Sequence, residues 1–271
     1  MADTVIRRAL SVDQPALQTL WEAVFGDPPE FIQTFFTHFP PEASGWVVSR
    51  ETELCSAAYL LTGNRLICDG QAYPCAYVYA VATPEAQRGH GYASRLMQHF
   101  AQMAEAHGFV LYTRPAEPGL FAWYRDVMGA TGIGKGREMT VPRDPHWISA
   151  LPVQAESAAE YGKLREAHLT GVPHVALSES FLTLLEESGA LFSVGDGCAT
   201  AEAEDGMLLV RELLVPDMQR EAAIQALLQW FHLNTAIVRR QEKSEMAQPL
   251  AAFCPRPPVP PCPVNWGLFL D

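Results

Sequence analysis

A strand, a proline, a short turn and an amphipathic helix follow one another twice in this chain, and that repeat constrains the fold more than any other feature. Residues 84–99 align without a gap on residues 216–231, with Pro84 on Pro216, Gln87 on Gln219, Arg88 on Arg220 and Leu96 on Leu228. Four identities are weak by themselves. Both copies, however, stand at a junction between a strand-like run and a helix-like run and lie half a chain length apart, as duplication of one supersecondary unit would leave them. The chain has 271 residues, enough for two domains of ordinary size.

Reading onward from the first residue, the pattern is mixed. Residues 5–10 read as a strand, and Ser11 or Asp13 can cap a helix carrying Leu17, Leu20, Trp21, Val24 and Phe25 at helical spacing. Pro28 and Pro29 open a second helix with Phe31, Ile32, Phe35 and Phe36, which stops before Pro40. Four strand-like runs come next, at 46–50, 54–62, 65–68 and 76–82. Gly63-Asn64 and Asp69-Gly70 are placed as hairpin turns between them. A helix is expected over 92–108 from Leu96, Met97, Phe100 and Met103, then a buried strand over 109–113. Gly129, Gly132, Gly134 and Gly136 precede a strand-like stretch at 138–141, and Pro142, Pro145 and Pro152 read as a linker. The reading therefore places domains at 1–145 and 150–271. The second half repeats the plan, with helices near 158–169, 178–188 and 219–233 and strands near 191–194, 207–215 and 235–239. Its proline-rich 255–263 is expected to be extended, with a closing strand at 266–270.

Composition narrows the function classes. Hydrophobic residues make up 48% and charged residues 18%, as in compact globular chains and unlike disordered ones. No apolar run reaches the roughly 18–20 residues that cross a bilayer, and residues 1–13 lack the apolar core of a signal peptide, so the expected location is the cytoplasm. Six cysteines show neither a paired CxxC nor zinc-type histidine spacing, so reduced structural thiols and no metal are expected. A formal charge of −12 repels phosphate backbones and anionic lipid, which argues against nucleic-acid and membrane partners and tolerates a cationic amine.

The chemistry concentrates at Gln87, Arg88, Gly89, His90, Gly91, Tyr92 and Ala93. Between a strand and a helix, the amides of such a loop converge on an anion with help from the helix dipole. Glycines let the backbone come close and take left-handed dihedrals, and Arg88 can add a charge-assisted contact. The run 79–96 resembles the acetyl-CoA-binding signature of the GNAT N-acetyltransferase family, a strand, then Gln/Arg-x-x-Gly-x-Gly/Ala, then a long helix, with residues 88–93 supplying an Arg-Gly-x-Gly-x-Ala variant. The resemblance covers roughly residues 5–141 in element order. It implies an α+β fold of two GNAT-like units, each a mixed, mostly antiparallel sheet flanked by helices. It also implies acetyl-CoA as co-substrate, with Val81, Ala82 and Thr83 on a splayed strand pairing with the pantetheine arm.

Acyl transfer from a thioester to an amine needs a neutral amine, stabilisation of an oxyanion and a proton for the departing thiolate. Members of the family place a tyrosine in a helix after the fifth strand, and the resemblance puts Tyr124, followed by Arg125, Asp126, Val127, Met128 and Gly129, in that role. Ala130 stands where the family has an aromatic residue. The strand 77–82 lacks the glutamate that some relatives carry, which leaves the base open among Tyr77, Tyr79, Glu117, His38 and water; His90 reads as a spacer. In the second copy Glu221 takes the place of Gly89, and Ala222 and Ala223 come after it. A carboxylate there would repel a diphosphate, so the second unit is expected to have lost the cofactor and to buttress the first, shape the acceptor pocket or offer a surface for a homodimer.

The resulting expectation is an N-acetyltransferase acting on a primary amine of a small molecule or peptide. A non-catalytic acyl-CoA sensor is the alternative of a different class, and an interaction protein with a vestigial fold the third.

Overall fold

The computed structural model describes residues 4–117, 119–241 and 248–254. In chain order the elements are β1 (Thr4–Arg8), α1 (Gln14–Phe25), α2 (Pro29–His38), α3 (Pro41–Ser44), β2 (Gly45–Arg50), β3 (Glu53–Cys68), β4 (Gln71–Ala82), α4 (Tyr92–His107), β5 (Val110–Thr113), α5 (Leu120–Met128) and β6 (Thr131–Pro142). The second half continues with β7 (Val153–Ala155), α6 (Ala158–His168), β8 (His174–Ala176), α7 (Glu179–Glu187), β9 (Leu191–Val194), β10 (Gly197–Glu204), β11 (Met207–Leu214), α8 (Arg220–Trp230), β12 (Thr235–Gln241) and β13 (Gln248–Cys254).

The strands form one continuous sheet in the order β1-β2-β3-β4-β5-β13-β6-β12-β11-β10-β9-β7, with β8 added against β3. Each half contains one parallel pair, β4 with β5 and β11 with β12, amid antiparallel neighbours. A parallel pair needs a crossover, and α4 and α8 provide it. The α+β architecture of two similar units is therefore present, and β13 knits them by pairing with β5 on one side and β6 on the other.

Three apolar clusters hold the layers. One packs α1, α2, α6 and α7 against one face of the first half's strands, around Trp21, Tyr59, Tyr77 and Phe181. A second sets α4 and α5 on the opposite face, through Leu96, Met97, Phe100 and Tyr124. The third covers β9 to β12 with α8. Because Phe181 of α7 lies 6.3 Å from the Tyr77 ring of β4, the first cluster is shared by both halves. Each of these side chains contributes roughly 1.5–3 kcal/mol on burial, so the halves are joined by packing as well as by strands.

Local departures from the sequence reading have identifiable causes. Asp13 stands at the N-cap of α1 without a side-chain capping bond; its carboxylate instead accepts from the Leu10 amide at 2.8 Å and from Arg7 at 2.6 Å, closing a one-turn helix at Ser11–Asp13 ahead of α1. Gly63-Asn64 does not turn the chain, and β3 runs through it unbroken with a register shift between Leu61 and Asn64. The buried Asn64 amide explains this, since its nitrogen donates to the Tyr112 hydroxyl at 2.6 Å and its oxygen accepts from the Ser178 amide at 2.8 Å. Gly63 has φ +100°, and a Cβ there would lie 3.0 Å from the Ser178 Cβ. Asp69-Gly70 does form the tight hairpin, with φ +50° and +74°, as a primed turn requires.

The glycine-rich stretch 132–136 lies within β6 rather than before it. The proline-bearing segment after β6 is tied to α8, where the Asp144 amide donates to Gln225 Oε1 and Gln225 Nε2 to the Pro142 carbonyl, both at 3.0 Å. Strands β7, β8, β10 and β13 had no sequence assignment. Cys55, Cys68, Cys75 and Cys198 are buried. The expected tail at 255–263 and strand at 266–270 lie outside the described residues.

Candidate active site

β4 ends at Ala82, and the Pro84 carbonyl accepts the Gln87 amide at 2.8 Å to close a one-turn helix at Glu85–Gln87. The Gln87 side chain turns inward: it is buried, and its amide nitrogen donates to the Glu53 carboxylate, itself paired with Arg50 at 2.6 Å. Gln87 thus pins the base of the loop to the β2–β3 hairpin and presents no side-chain donor outward. Arg88 is extended, with φ −68° and ψ 156°, and Gly89 and Gly91 come next at φ +78° and +74°. No atom lies within 4 Å of a Cβ built on either glycine. Within the chain itself only the backbone hand demands glycine here, and the space over the loop is open.

Residues 88–91 are exposed. Gly91 is the N-cap of α4, no side chain caps the helix, and no carboxylate stands in its first turn. The first-turn amides therefore have no side-chain partner and point out over the loop, where an anion would complete them. The Arg88 guanidinium donates to the Thr83 carbonyl at 3.4 Å. His90 Nδ1 donates to the Arg88 carbonyl at 3.0 Å, and the ring stacks on Tyr92 with centroids 5.7 Å apart. Both contacts tie His90 to the turn itself. Tyr92 is buried and Ala93 half-buried beneath the loop.

Beside the loop the sheet opens. β4 pairs with β5 through Cys75, Ala76 and Tyr77 and no further. Along its other edge, Tyr79 faces Tyr59 and Ala82 faces Ala57, so Ala80 and Val81 together oppose Ala58. Ala80 accordingly has φ +46°, the signature of a bulge that re-aims the backbone. Ser56 Oγ donates to the Ala82 carbonyl at 2.9 Å and meets Thr83 Oγ1 at 3.0 Å, holding the strand end. Val81, Ala82 and Thr83 thus form the β4 edge of the splay, with no β5 residue paired to them.

Thr113 spans the opening: its hydroxyl donates to the Val78 carbonyl at 2.8 Å and is hydrogen-bonded to Tyr124 of α5. Burial pushes the Tyr124 phenol up to about 12, with the Thr113 contact acting the other way. Tyr124 therefore keeps its proton at neutral pH, the state an acid needs. Trp123 lies 4.7 Å from it and donates to Ser94 at 3.1 Å, fixing α5 against α4.

The candidate bases do not gather at this point. Burial raises the Tyr77 and Tyr79 phenols far above their ordinary value, the wrong direction for a base. Glu117 is exposed on the loop before α5. His38 faces Glu187 of α7 at 3.0 Å and joins α2 to the second half instead.

A cleft of about 430 Å³ opens on the other side of Tyr79, between the α1–α2 turn, α7 and the β10–β11 ribbon. Its walls include Asp27, Phe31, Leu184, Glu202, Glu204 and Arg211. Sequence reading passed over Asp27 because Gly26-Asp27-Pro28 is ordinary turn chemistry; the Trp21 indole that donates to it at 2.7 Å gave no signal of its own. Glu202 and Arg211 lie far along the chain from Tyr79.

The second copy of the motif starts like the first. Pro216 matches Pro84 in dihedrals, φ −53° and ψ 140° against φ −53° and ψ 143°, and the Gln219 amide returns to the Pro216 carbonyl at 2.8 Å. Arg220 then turns helical at φ −56° and ψ −50°, so α8 begins at once and no loop forms. The opposing bulge survives at Arg211. The carboxylate of Glu212 beside it is buried and consumed by Arg165 at 2.8 Å and by Tyr161 at 2.9 Å.

These features, a splayed parallel pair, an uncapped glycine turn and a tyrosine across the gap, define a class of acyltransferase fold. Residues 5–124 match the family model described as an acetyltransferase (GNAT) domain. A GCN5-related N-acetyltransferase from Kribbella flavida is similar over 93% of this chain and 69% of its own, at 16% identity and a TM-score of 0.68. A probable N-acyltransferase from Enterococcus faecalis V583, described as a conserved protein of unknown function, is similar over 93% of this chain and 72% of its own, at 13% identity and a TM-score of 0.69. A tandem GNAT protein from the clavulanic acid biosynthesis pathway matches over 93% of this chain and 96% of its own, at 15% identity and a TM-score of 0.51. No curated protein matches the sequence. At these identities the likeness to solved structures is one of fold. Residues 5–124 match a GNAT domain, and 93% of the chain shares the fold of a tandem GNAT protein.

Proposed function

We propose that the protein is an N-acyltransferase that moves an acetyl group from acetyl-CoA to a primary amine of a small molecule or peptide. Catalysis is assigned to residues 1–145 and support to residues 150–271. The observation that carries this reading is the exposed turn at residues 88–91, with two left-handed glycines, no neighbour above them and an uncapped 16-residue helix behind.

That turn fits a diphosphate: a Cβ on Gly89 or Gly91 would stand in the space the anion needs, and the amides there have no side-chain cap to displace. Acetyl-CoA supplies the acyl thioester. Arg88 adds positive charge above the turn, and Val81, Ala82 and Thr83 offer backbone groups along the splay to an extended arm. The amine nitrogen forms the new bond to the carbonyl carbon, and the carbon–sulfur bond breaks. Tyr124, hydrogen-bonded to Thr113 and kept protonated by burial, gives the departing sulfur its proton. No carboxylate stands on β4, so the amine releases its own proton to water.

That last feature also favours a second reading, a module that grips acyl-CoA without transfer. Tyr124→Phe separates the two: an enzyme loses turnover and keeps CoA affinity, whereas a binder shows no amine-dependent CoA release before or after the change. Acetyl-CoA consumption across an amine panel, paired with calorimetry, is the test. Absence of CoA binding sinks both.

A further inference from the structure

The cleft beside Tyr79 is built by both halves, and its charge is unbalanced. Phe31 and Tyr79 give it aromatic walls and Leu184 an aliphatic one. Among the described residues that line it, three carboxylates, Asp27, Glu202 and Glu204, meet one cation, Arg211, with Arg239 behind the lining also acting on Glu202. Arg211 is matched by Glu202, so Asp27 and Glu204 are in excess. Asp27 is held in place by the Trp21 indole, which orients the carboxylate without neutralising it. Tyr79 feels the charges of Asp27, Arg211 and Glu202 and immediately precedes the Ala80 bulge, where the proposed transfer takes place.

A pocket of this size with aromatic walls and surplus carboxylates attracts organic cations, through charge and through the ring faces. It repels an acceptor that carries its own carboxylate. A monoamine that enters the transfer site as the neutral nucleophile leaves these two carboxylates unmatched; a second nitrogen on the same molecule, protonated at neutral pH, matches them. Resting on the acyltransferase reading, we infer that the acceptor is a diamine or polyamine whose non-reacting ammonium sits in the cleft between Asp27 and Glu204, against Tyr79 and Phe31, while its other nitrogen reaches the bulge of β4. The formal charge of −12 on the chain draws such cations toward it at low salt.

The experiment uses the full chain with CoA present and compares binding of 1,4-diaminobutane, butylamine and 4-aminobutanoate by calorimetry. The diamine is expected to bind at least about tenfold more tightly than butylamine, with 4-aminobutanoate weakest and the preference fading as salt rises. In Asp27→Asn/Glu204→Gln the ratio of diamine to butylamine affinity falls toward one. Glu204 is exposed, so Glu204→Gln alone keeps the fold and is expected to lose part of the ratio. Equal binding of the two amines, preference for 4-aminobutanoate, or a ratio unchanged in the double variant overturns the inference. Acetyl-CoA consumption is read separately. A carboxylate-dependent diamine site without acyl transfer keeps the cation-binding cleft and removes the transferase reading together with the acceptor role, whereas transfer to amines without preference keeps the transferase reading and removes the cleft from acceptor choice.

Discussion

Arg88 and Arg220 occupy the same place in two copies of one motif and have opposite backbone conformations. Arg88 is extended at ψ 156° and Arg220 helical at ψ −50°, although the proline before each has the same dihedrals and opens the same one-turn helix. The residues on the C-terminal side of each arginine decide between them. Gly89 permits the left-handed step that swings the chain away from the helix axis, whereas Glu221 and Ala222 favour helix at once. One glycine marks the difference between an open anion turn and a plain helix start.

Gly91→Ala places a side chain at φ +74° and in the space above the turn. Stability should drop by about 1 kcal/mol, and acetyl-CoA affinity by more than about tenfold. Gly171 has nearly the same dihedral, φ +76°, and equally open surroundings. Gly171→Ala should therefore show the same thermal shift and no change in affinity; equal affinity loss in both would remove the turn from the binding site.

Tyr124→Phe should lower turnover by roughly 10²–10⁴-fold, the usual range for a general acid, with CoA affinity retained. Since the folded-state phenol is pushed up to about 12, the wild-type rate should show no falling limb from Tyr124 up to about pH 11. The raised value also means that its share of stability is whole below the ordinary 10.0 and is lost as pH rises toward 12. A limb near pH 8 that vanishes in the Phe variant would contradict the burial argument.

Arg165 and Glu212 form a bidentate pair at 2.8 and 3.2 Å, with both side chains almost fully buried. Arg165→Met alone strands a buried carboxylate and should cost about 3–5 kcal/mol in denaturant unfolding. Arg165→Met with Glu212→Leu should recover most of that, because Tyr161 keeps its contact with Thr200 at 2.8 Å. Equal loss in single and double variants would show that packing, rather than the stranded charge, sets the cost.

Glu166 accepts from His174 Nε2 at 2.9 Å, and that bond first, then the nearby Arg165, holds its carboxyl below the ordinary 4.5. A depressed acid contributes stability above its unfolded value and loses it as pH falls through the folded one. Unfolding midpoints should therefore decline below about pH 4.5, and Glu166→Gln should flatten part of that acid limb. Its side chain is 46% exposed, so the effect is modest and weakens with salt. His174 lies on β8, paired to β3, so a loosened β8 should also raise hydrogen exchange at residues 65–67.

Much of the site was legible because it is local. Gly89 and Gly91 at a strand–helix junction announce left-handed backbone, and Tyr124 enters as a candidate through the family resemblance. The inward turn of the Gln87 side chain was not legible, since only the fold brings Glu53 within reach of it. Gly63-Asn64 carried true turn chemistry, yet a buried amide shared with Tyr112 and Ser178 outweighs a local preference worth a kcal/mol or so. The cleft was invisible: Asp27, Tyr79, Glu202 and Arg211 are linked by no spacing rule.

By itself the sequence determined most of the helices and many of the strands, that one unit occurs twice, and that one copy keeps an open glycine turn and the other does not. Those features arise from side-chain periodicity and from glycine at particular positions, which act over a few residues. Only the tertiary structure decided that β13 joins the halves into one sheet, that the splay beside β5 is bridged by Thr113 and Tyr124, and that carboxylates from both halves share a wall with Tyr79. Such contacts depend on how distant elements pack, and burial, which sets their charge state and strength, has no counterpart in a linear pattern.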